Sequence, residues 1–194
     1  MKVILPMAGN GQRFFDDGYI LPKPLIDVKG KPMFKRVLDN LHLDNINPWC
    51  IVRQDHVDLY EIDKVIREYY PNAHIIITPG ITDGAACTVR LAANIFGGEP
   101  MIVANCDQLM VWNHKHFYEE IQSTSFPGGL IPVFLPNHDK PIHSYVDADA
   151  YDNLLQLKEK EIIGPLATVG VYYFGDETKF IKAHKEQILS LIHI

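Results

Sequence analysis

Residues 1–14 read MKVILPMAGNGQRF, and residues 21–33 read LPKPLIDVKGKPM. In the first segment a short apolar run leads into two glycines, and Arg13 stands two residues after the second glycine. Ligands of α/β sheets bind at the carboxyl ends of strands, where glycines let backbone N–H groups approach an anion closely. The pattern therefore predicts a strand over residues 2–6 followed by a phosphate-binding loop, to which Arg13 adds a bidentate donor.

The second segment places a lysine between two prolines. Pro22 and Pro24 fix backbone angles on both sides of Lys23, so its ammonium group extends from a stiffened part of the chain. Pro32 suits the first turn of a helix that starts near Met33. A lone G-x-G is typical of a plain tight turn, but the cationic groups that follow favour an anion site.

Two familiar glycine motifs do not fit this loop. The dinucleotide fingerprint requires a third glycine, where this chain has the bulky ring of Phe14. The ATP-type phosphate loop requires a Gly-Lys-Ser/Thr ending, which this sequence lacks.

Composition and charge exclude several classes of protein. The 194 residues, 47% of them hydrophobic, predict one domain over residues 1–194. Because the sequence has no membrane-length apolar run and no secretory signal, we expect a cytoplasmic protein.

The net charge of −6 argues against a nucleic-acid binder. Residues 1–40 nevertheless carry +3 and the remainder −9, which indicates a local anion site. Three dispersed cysteines form no disulfide or zinc pattern. The last fifteen residues have helical spacing and end very apolar, so we expect the natural chain to continue beyond Ile194.

Apolar segments of strand length alternate with longer amphipathic segments, which predicts a mostly parallel sheet covered by helices on both faces. The predicted strands are Lys2–Pro6, Cys50–Arg53, His74–Thr78, Pro100–Ala104 and Gly129–Phe134. The predicted helices are Met33–Leu41, Val57–Tyr69, Gly84–Phe96 and His114–Ser123. After the loop PNHDKPIHS, the segments SYVDAD, LLQLKEKE and ATVGVYYF predict a mixed-sheet extension of the same domain.

A strand followed by A-G-x-G-x-R, then P-K-P-L and G-K-P-M, resembles the nucleotidyltransferase superfamily that makes nucleotide-sugars, the sugar-1-phosphate nucleotidylyltransferases or NDP-sugar pyrophosphorylases. The amino-acid sequence of these segments is similar to that of small single-domain members found in capsule and surface-polysaccharide gene clusters. The resemblance implies a Rossmann-like, GT-A-like α/β fold and Mg²⁺ as cofactor. It also implies transfer of a nucleoside monophosphate from a nucleoside triphosphate to a phosphorylated acceptor, a sugar 1-phosphate, with release of pyrophosphate.

The resemblance assigns roles to individual residues. The family's glycine-rich loop holds the nucleoside triphosphate, which implicates Ala8, Gly9, Gly11 and Arg13. Arg13 would stabilise the departing pyrophosphate, and Lys23 would neutralise the reacting phosphates. Many relatives have threonine four places before that lysine, where this chain has Tyr19.

Three further segments match the family's pattern. Gly84 and Ala85 match the segment that contacts the base and ribose, although Asp83 before them also suits a plain helix N-cap. Asp107, in the sequence NCDQ after a strongly apolar strand, matches the magnesium-binding aspartate; a loop aspartate that caps the next turn is the alternative. Glu159, Lys160 and Gly170 match the acceptor-binding region, although a charged KEKE run is also typical of a solvated surface. The second metal ligand of the family has no convincing match before Ile194.

Two other functions remain open from the sequence. A glycosyltransferase that consumes a nucleotide-sugar would have a similar fold and metal carboxylate, but it would not need Arg13 or the Pro-Lys-Pro element. A non-catalytic nucleotide-binding domain would explain a missing second ligand. The base and the acceptor also remain open, and phosphorylated sugars, alditols, choline-like alcohols and amino-acid phosphates are all candidates.

Overall fold

The computed structural model describes residues 1–82, 84–93, 97–123, 128–176, 178 and 180. The strands are β1 (Lys2–Pro6), β2 (Trp49–Arg53), β3 (His74–Thr78), β4 (Met101–Ala104), β5 (Gly129–Leu130), β6 (Val133–Phe134), β7 (Ser144–Ala148), β8 (Leu154–Glu159), β9 (Leu166–Thr168) and β10 (Val171–Phe174). The helices are α1 (Gln12–Asp16), α2 (Met33–Asn40), α3 (Gln54–Tyr60), α4 (Ile62–Tyr69), α5 (Ala85–Ala93) and α6 (His114–Ser123). A short 3-10 turn covers Lys23–Leu25.

Two sheets organise these strands. The central sheet has the order β3-β2-β1-β4-β10-β5, in which β1 to β4 run parallel and β10 is antiparallel to both of its neighbours. The second sheet has the order β6-β9-β7-β8 and is antiparallel. The predicted mostly parallel, mixed α/β sheet is therefore confirmed.

Helices pack on both faces of the central sheet because successive side chains of a strand point to opposite faces. Val3 and Leu5 belong to a buried cluster that includes Leu38 of α2, whereas Ile4 between them packs with Val89 of α5. All five side chains are at most 2% exposed. The result is the three-layer, Rossmann-like and GT-A-like arrangement that the sequence predicts.

Two predicted strands each divide between the sheets. The segment predicted as one strand over residues 129–134 forms β5 in the central sheet and β6 in the second sheet. Pro132 lies between them; it has no N–H donor, and its carbonyl accepts a hydrogen bond from Val169. ATVGVYYF likewise divides into β9 and β10 at Gly170, whose φ of +73° turns the chain.

Other predictions require smaller corrections. The helix predicted over residues 57–69 is two helices, α3 and α4, because Glu61 between them has left-handed backbone angles, with φ of 50°. The segments SYVDAD and LLQLKEKE, predicted to extend the mixed sheet, form β7 and the mostly exposed β8 of the separate antiparallel sheet instead. The end of the helix predicted to reach Phe96, and the helix predicted over the last residues, lie outside the described residues. No helix in the described part of the chain is long and apolar enough to cross a membrane.

Candidate active site

The loops after β1 and β4 leave the central sheet at the same edge because the two strands are parallel neighbours. In the first loop, Ala8 is fully buried and Gly9 is exposed. Gly11 has a φ of +63° and precedes α1. A Cβ atom at Gly11 would lie 3.4 Å from the Cβ atom of Lys23, so the glycine loop packs against the Pro-Lys-Pro segment.

Lys23 is held at its base by buried neighbours. It opens the 3-10 turn in which Pro24 and Leu25 are buried, and Leu25 N–H donates to the carbonyl of Pro22 at 2.8 Å. The Lys23 side chain itself is 23% exposed. The backbone around Lys23 is therefore fixed by buried neighbours, as the two prolines predict. The ammonium group stays accessible from solvent.

An ion pair joins the two loops. Nζ of Lys23 lies 2.9 Å from Oδ2 of Asp107, although the residues are 84 positions apart. Burial by itself lowers the pKa of Lys23, but three contributions together raise this pKa above its ordinary value: the Cys106 thiolate, which forms only at the alkaline pH where Lys23 titrates, the negative charge of Asp107, and the hydrogen bond to Asp107. Lys23 is consequently a cation at neutral pH.

Cys106, beside this ion pair, is a buried thiol. Burial raises the pKa of Cys106 to about 11, even though the nearby Lys23 ammonium lowers it. The thiolate is the reactive form of cysteine, so Cys106 does not supply a nucleophile at neutral pH.

Arg13 lies close enough to Lys23 for its positive charge to act on the lysine, opposing the rise in the pKa of Lys23. The Arg13 side chain is exposed and makes no hydrogen bond or ion pair with any residue that the structure describes. The guanidinium of Arg13 and the ammonium of Lys23 are thus within electrostatic range of each other at the carboxyl edge of the sheet. That both groups bind one anion stays a prediction from the two motifs.

Gly170 contacts the loop that carries Asp107. Its carbonyl accepts from the N–H of Asn105 at 2.8 Å, and Nδ2 of Asn105 donates to Oε1 of Gln108 at 3.0 Å. A Cβ atom at Gly170 would lie 1.4 Å from Oε1 of Gln108. Sequence reasoning gave no role to Asn105 or Gln108, and their only signal is their position on either side of the aspartate in NCDQ.

Gly84 and Ala85 lie beyond the carboxyl end of β3, at the same edge of the parallel part of the sheet. The carbonyl of Gly84 accepts from the backbone N–H and the hydroxyl of Thr88, and the Thr88 and Thr82 hydroxyls are hydrogen-bonded to each other. Among the described contacts, none joins Gly84 or Ala85 to the Lys23–Asp107 pair. Asp83, the predicted N-cap, lies outside the described residues.

Glu159 and Lys160 lie at the end of β8 in the second sheet. Both are exposed, their side chains are 3.2 Å apart, and no described contact joins them to Asp107. Because β7 is antiparallel to both β8 and β9, the ends of β8 and β9 point the same way. The end of β9 leads directly to Gly170, so the topology brings the three predicted acceptor residues to one end of the second sheet.

Asp107 provides one oxygen-donor group for a metal ion. In the described ranges, no three His, Cys, Asp or Glu side chains come together as a metal cluster. Mg²⁺ typically takes one or two carboxylates and fills its remaining positions with substrate oxygens and water. A partly exposed carboxylate beside the glycine loop fits such a shared site, and it does not fit a closed cage of protein ligands.

Comparison with known proteins agrees with the nucleotidyltransferase resemblance of the sequence. The family model "Nucleotidyl transferase" matches residues 2–188. A nucleoside-diphosphate-sugar pyrophosphorylase from Vibrio cholerae has the same fold, with a TM-score of 0.76, 22% identity, and coverage of 96% of this chain and 78% of that chain. The inositol-1-phosphate CTP transferase of T. maritima has a TM-score of 0.72 and 15% identity, with coverage of 90% of this chain and 70% of that chain. A UDP-glucose pyrophosphorylase complexed with UDP-glucose has a TM-score of 0.71 and 15% identity, with coverage of 90% of this chain and 75% of that chain.

At these identities the structural likeness establishes the fold alone. No curated protein matches this chain. The family match, in contrast, spans residues 2–188 of the 194 and therefore includes all the segments that form the candidate site. The chain belongs to the nucleotidyl transferase family.

Proposed function

We propose that this chain transfers a nucleoside monophosphate from a nucleoside triphosphate to a sugar 1-phosphate and releases pyrophosphate. The observation that carries the proposal is the Lys23–Asp107 ion pair packed beside the Gly11 loop, at the carboxyl edge of a nucleotidyl transferase fold. The names of structural neighbours, which include a nucleoside-diphosphate-sugar pyrophosphorylase and an inositol-1-phosphate CTP transferase, support this reaction class.

The reaction joins two anions. An oxygen of the acceptor phosphate attacks the α-phosphorus of the triphosphate, a new P–O bond forms, and the bond to pyrophosphate breaks. The acceptor phosphate is already ionised at neutral pH, so no protein nucleophile or general base is required. The protein must align the reactants and offset their negative charge, and the observed groups suit that task.

The cationic groups have separate roles in this proposal. The N–H groups of the loop over residues 8–11 hold the triphosphate, Arg13 stabilises the departing pyrophosphate, and Lys23 neutralises the phosphates around the reacting centre. Lys23 is bonded to Asp107 before substrate arrives. Substrate binding therefore involves an exchange in which the Lys23 ammonium leaves the carboxylate and donates to phosphate oxygens.

We further propose Asp107 as the protein ligand of Mg²⁺. When bound, this ion would neutralise charge on the phosphate oxygens. Gly84 and Ala85 would contact the nucleotide, and Glu159, Lys160 and Gly170 the acceptor. The resemblance to capsule-cluster enzymes makes cytoplasmic synthesis of a nucleotide-sugar for surface polysaccharide the context that we propose.

A pyrophosphate-release screen tests the proposal. The four ribonucleoside triphosphates and dTTP are each combined with Mg²⁺ and a panel of phosphorylated sugars, alditols, choline and amino acids. We expect release with one triphosphate and sugar 1-phosphates. A glycosyltransferase would release no pyrophosphate from any pair, and a non-catalytic domain would bind nucleotide without turnover; either result would replace the proposed reaction.

A further inference from the structure

Three rings lie against one another between the end of β6 and the start of β7. The ring centroids of Phe134 and His143 are 5.2 Å apart with planes at 82°, and those of His138 and His143 are 5.4 Å apart at 21°. We call Phe134, His138 and His143 the ring cluster. Phe134 is 36% exposed and both histidines are half-buried, so the cluster presents ring surface to solvent.

Hydrogen bonds hold the loop that carries the ring cluster. The hydroxyl of buried Tyr145 donates to the carbonyl of Lys140 at 2.8 Å, and the N–H of Lys140 donates to Nδ1 of His138 at 3.2 Å. Because Nδ1 accepts, the neutral His138 ring carries its proton on Nε2. His138 therefore offers an N–H donor to a bound group.

The ring cluster lies at the end of the second sheet that leads toward the candidate active site. The backbone N–H of Lys160 donates to the carbonyl of His143 at 2.8 Å. Phe134 of β6 pairs with Ala167 of β9, three residues before Gly170. Gly170 in turn contacts the loop that holds Asp107. The cluster is thus adjacent in the fold to the proposed acceptor residues.

We propose that the ring cluster contacts the part of the acceptor beyond its phosphate group and selects hydroxyl-bearing rings over quaternary ammonium groups. This inference rests on the proposed function, in which Lys160 binds the acceptor. The C–H groups of a sugar or cyclitol ring pack on the face of Phe134, and its hydroxyl groups accept from Nε2–H of His138.

The chemistry of the rings disfavours a choline-like acceptor. Quaternary ammonium groups bind over the faces of Trp, Tyr or Phe. Two of the three rings here are imidazoles, which are not among these three ring types, and the Nε2–H group of His138 carries partial positive charge. The ammonium group of Lys160, adjacent in the fold, adds positive charge, although Glu159 is its ion-pair partner. Neutral hydroxyl-bearing rings avoid this repulsion.

Calorimetric titration of the full chain tests the proposal with named probes. Glucose 1-phosphate and inositol 1-phosphate are the ring-bearing phosphomonoesters, and phosphocholine is the quaternary ammonium compound. We expect the wild type to bind at least one ring-bearing phosphomonoester more tightly than phosphocholine. Phe134→Ala and His143→Ala should each weaken that binding roughly tenfold through loss of ring contact. His143→Tyr keeps a ring and should largely preserve binding.

His114→Ala is the matched control, because His114 stacks on His42 at 4.0 Å in another part of the molecule. Unchanged affinity for ring-bearing phosphomonoesters in both Phe134→Ala and His143→Ala, or tighter binding of phosphocholine by the wild type, would overturn the proposal. Pyrophosphate release distinguishes failure of this proposal from failure of the proposed function. Release with an unchanged KM for ring-bearing phosphomonoesters in these two variants overturns the role of the ring cluster alone. Binding through the cluster without any release overturns the proposed function alone.

Discussion

Lys23 and Asp107 neutralise each other in the absence of substrate, and their separation of 2.9 Å means that the ammonium group competes with any cation for the carboxylate. We therefore expect Lys23→Met to strengthen the binding of Mn²⁺, a spectroscopic substitute for Mg²⁺, when no nucleotide is present. The same variant should bind the metal–nucleotide complex more weakly, since the triphosphate loses a cationic partner.

Electron paramagnetic resonance of Mn²⁺ measures both quantities. Lys64→Met is the control, because Lys64 pairs with Glu61 on the exposed surface of α4. Weaker Mn²⁺ binding by Lys23→Met than by Lys64→Met in the absence of nucleotide would show that Asp107 does not bind the metal or that Lys23 does not compete for it.

Gly170 has both a backbone and a contact requirement. Its φ of +73° costs an ordinary residue about 1–2 kcal/mol, and a Cβ atom would displace the Gln108 side chain. Gly170→Ala should therefore destabilise the fold and also lower activity at least tenfold by moving the loop that carries Asp107.

Gly30→Ala separates these two effects. Gly30 has a φ of +83°, and nothing lies within 4 Å of its Cβ position. Urea unfolding should show a loss of stability in both variants, larger in Gly170→Ala because of the added clash with Gln108, whereas pyrophosphate release should decline only in Gly170→Ala. Equal activity of the two variants would contradict a positioning role for Gly170.

At the scale of elements, local patterns located the isolated strands and helices well. β1, β3 and α6 begin and end at the residues that apolar periodicity and flanking polar residues predict. Local patterns do not show which strands pair with one another. The sequence therefore could not predict that residues 129–134 and the segment ATVGVYYF, each continuous in apolar character, divide between two sheets. The break between α3 and α4 depends on one residue with positive φ, Glu61, for which glutamate gives no signal.

The start of α3 contains a buried histidine that should make stability depend on pH. His56 is 4% exposed, and its Nδ1 has no hydrogen-bond partner among the described residues. Burial, and then the positive charge of Arg53, lower the pKa of His56, whereas Asp55 raises it by a smaller amount. The protonated ring is thus less stable in the folded state than in the unfolded state.

The sign of the effect follows from this lowered pKa. The unfolded chain takes up the His56 proton as pH falls through about 6.5, whereas the folded chain does so only at lower pH. Stability should therefore decrease below pH 6.5, by at most about 1.4 kcal/mol per pH unit from this group. Urea unfolding at pH 7.5 and 5.5 should show a smaller decrease for His56→Phe than for the wild type. An identical decrease in both proteins, with His116→Phe at an exposed site as control, would contradict this account.

At the scale of the whole molecule, the candidate site is assembled from distant parts of the chain. The first 25 residues supply the glycine loop, Arg13 and Lys23, and a motif in one continuous segment could predict them. The contact of Gly170 with Asn105 and Gln108 could not be predicted, because it joins two backbones across 65 positions and leaves no residue pattern. The ring cluster could not be predicted for a different reason: its members are close in sequence, but the pairing of both β6 and β7 with β9 brings their rings together.

Charge at this scale agrees with an anion site on an acidic protein. The chain carries −6 in total, yet Arg13 and Lys23 lie within electrostatic range of each other at one edge of the central sheet. Because Asp107 neutralises only one of these two cations, the edge keeps an excess positive charge that attracts polyphosphate while the remaining acidic surface repels it. We propose that Lys23 and Asp107 act directly on the phosphates of the substrates.

Pyrophosphate release by Lys23→Met and Asp107→Asn, compared with Lys64→Met and the wild type, tests directly whether the two residues act on the phosphates. With the substrate pair that the screen identifies, we expect each of the two site variants to be slower by on the order of 100- to 1000-fold, because each removes a preorganised charge from the reacting phosphates. Lys64→Met should match the wild type. Wild-type rates in both Lys23→Met and Asp107→Asn would contradict the account.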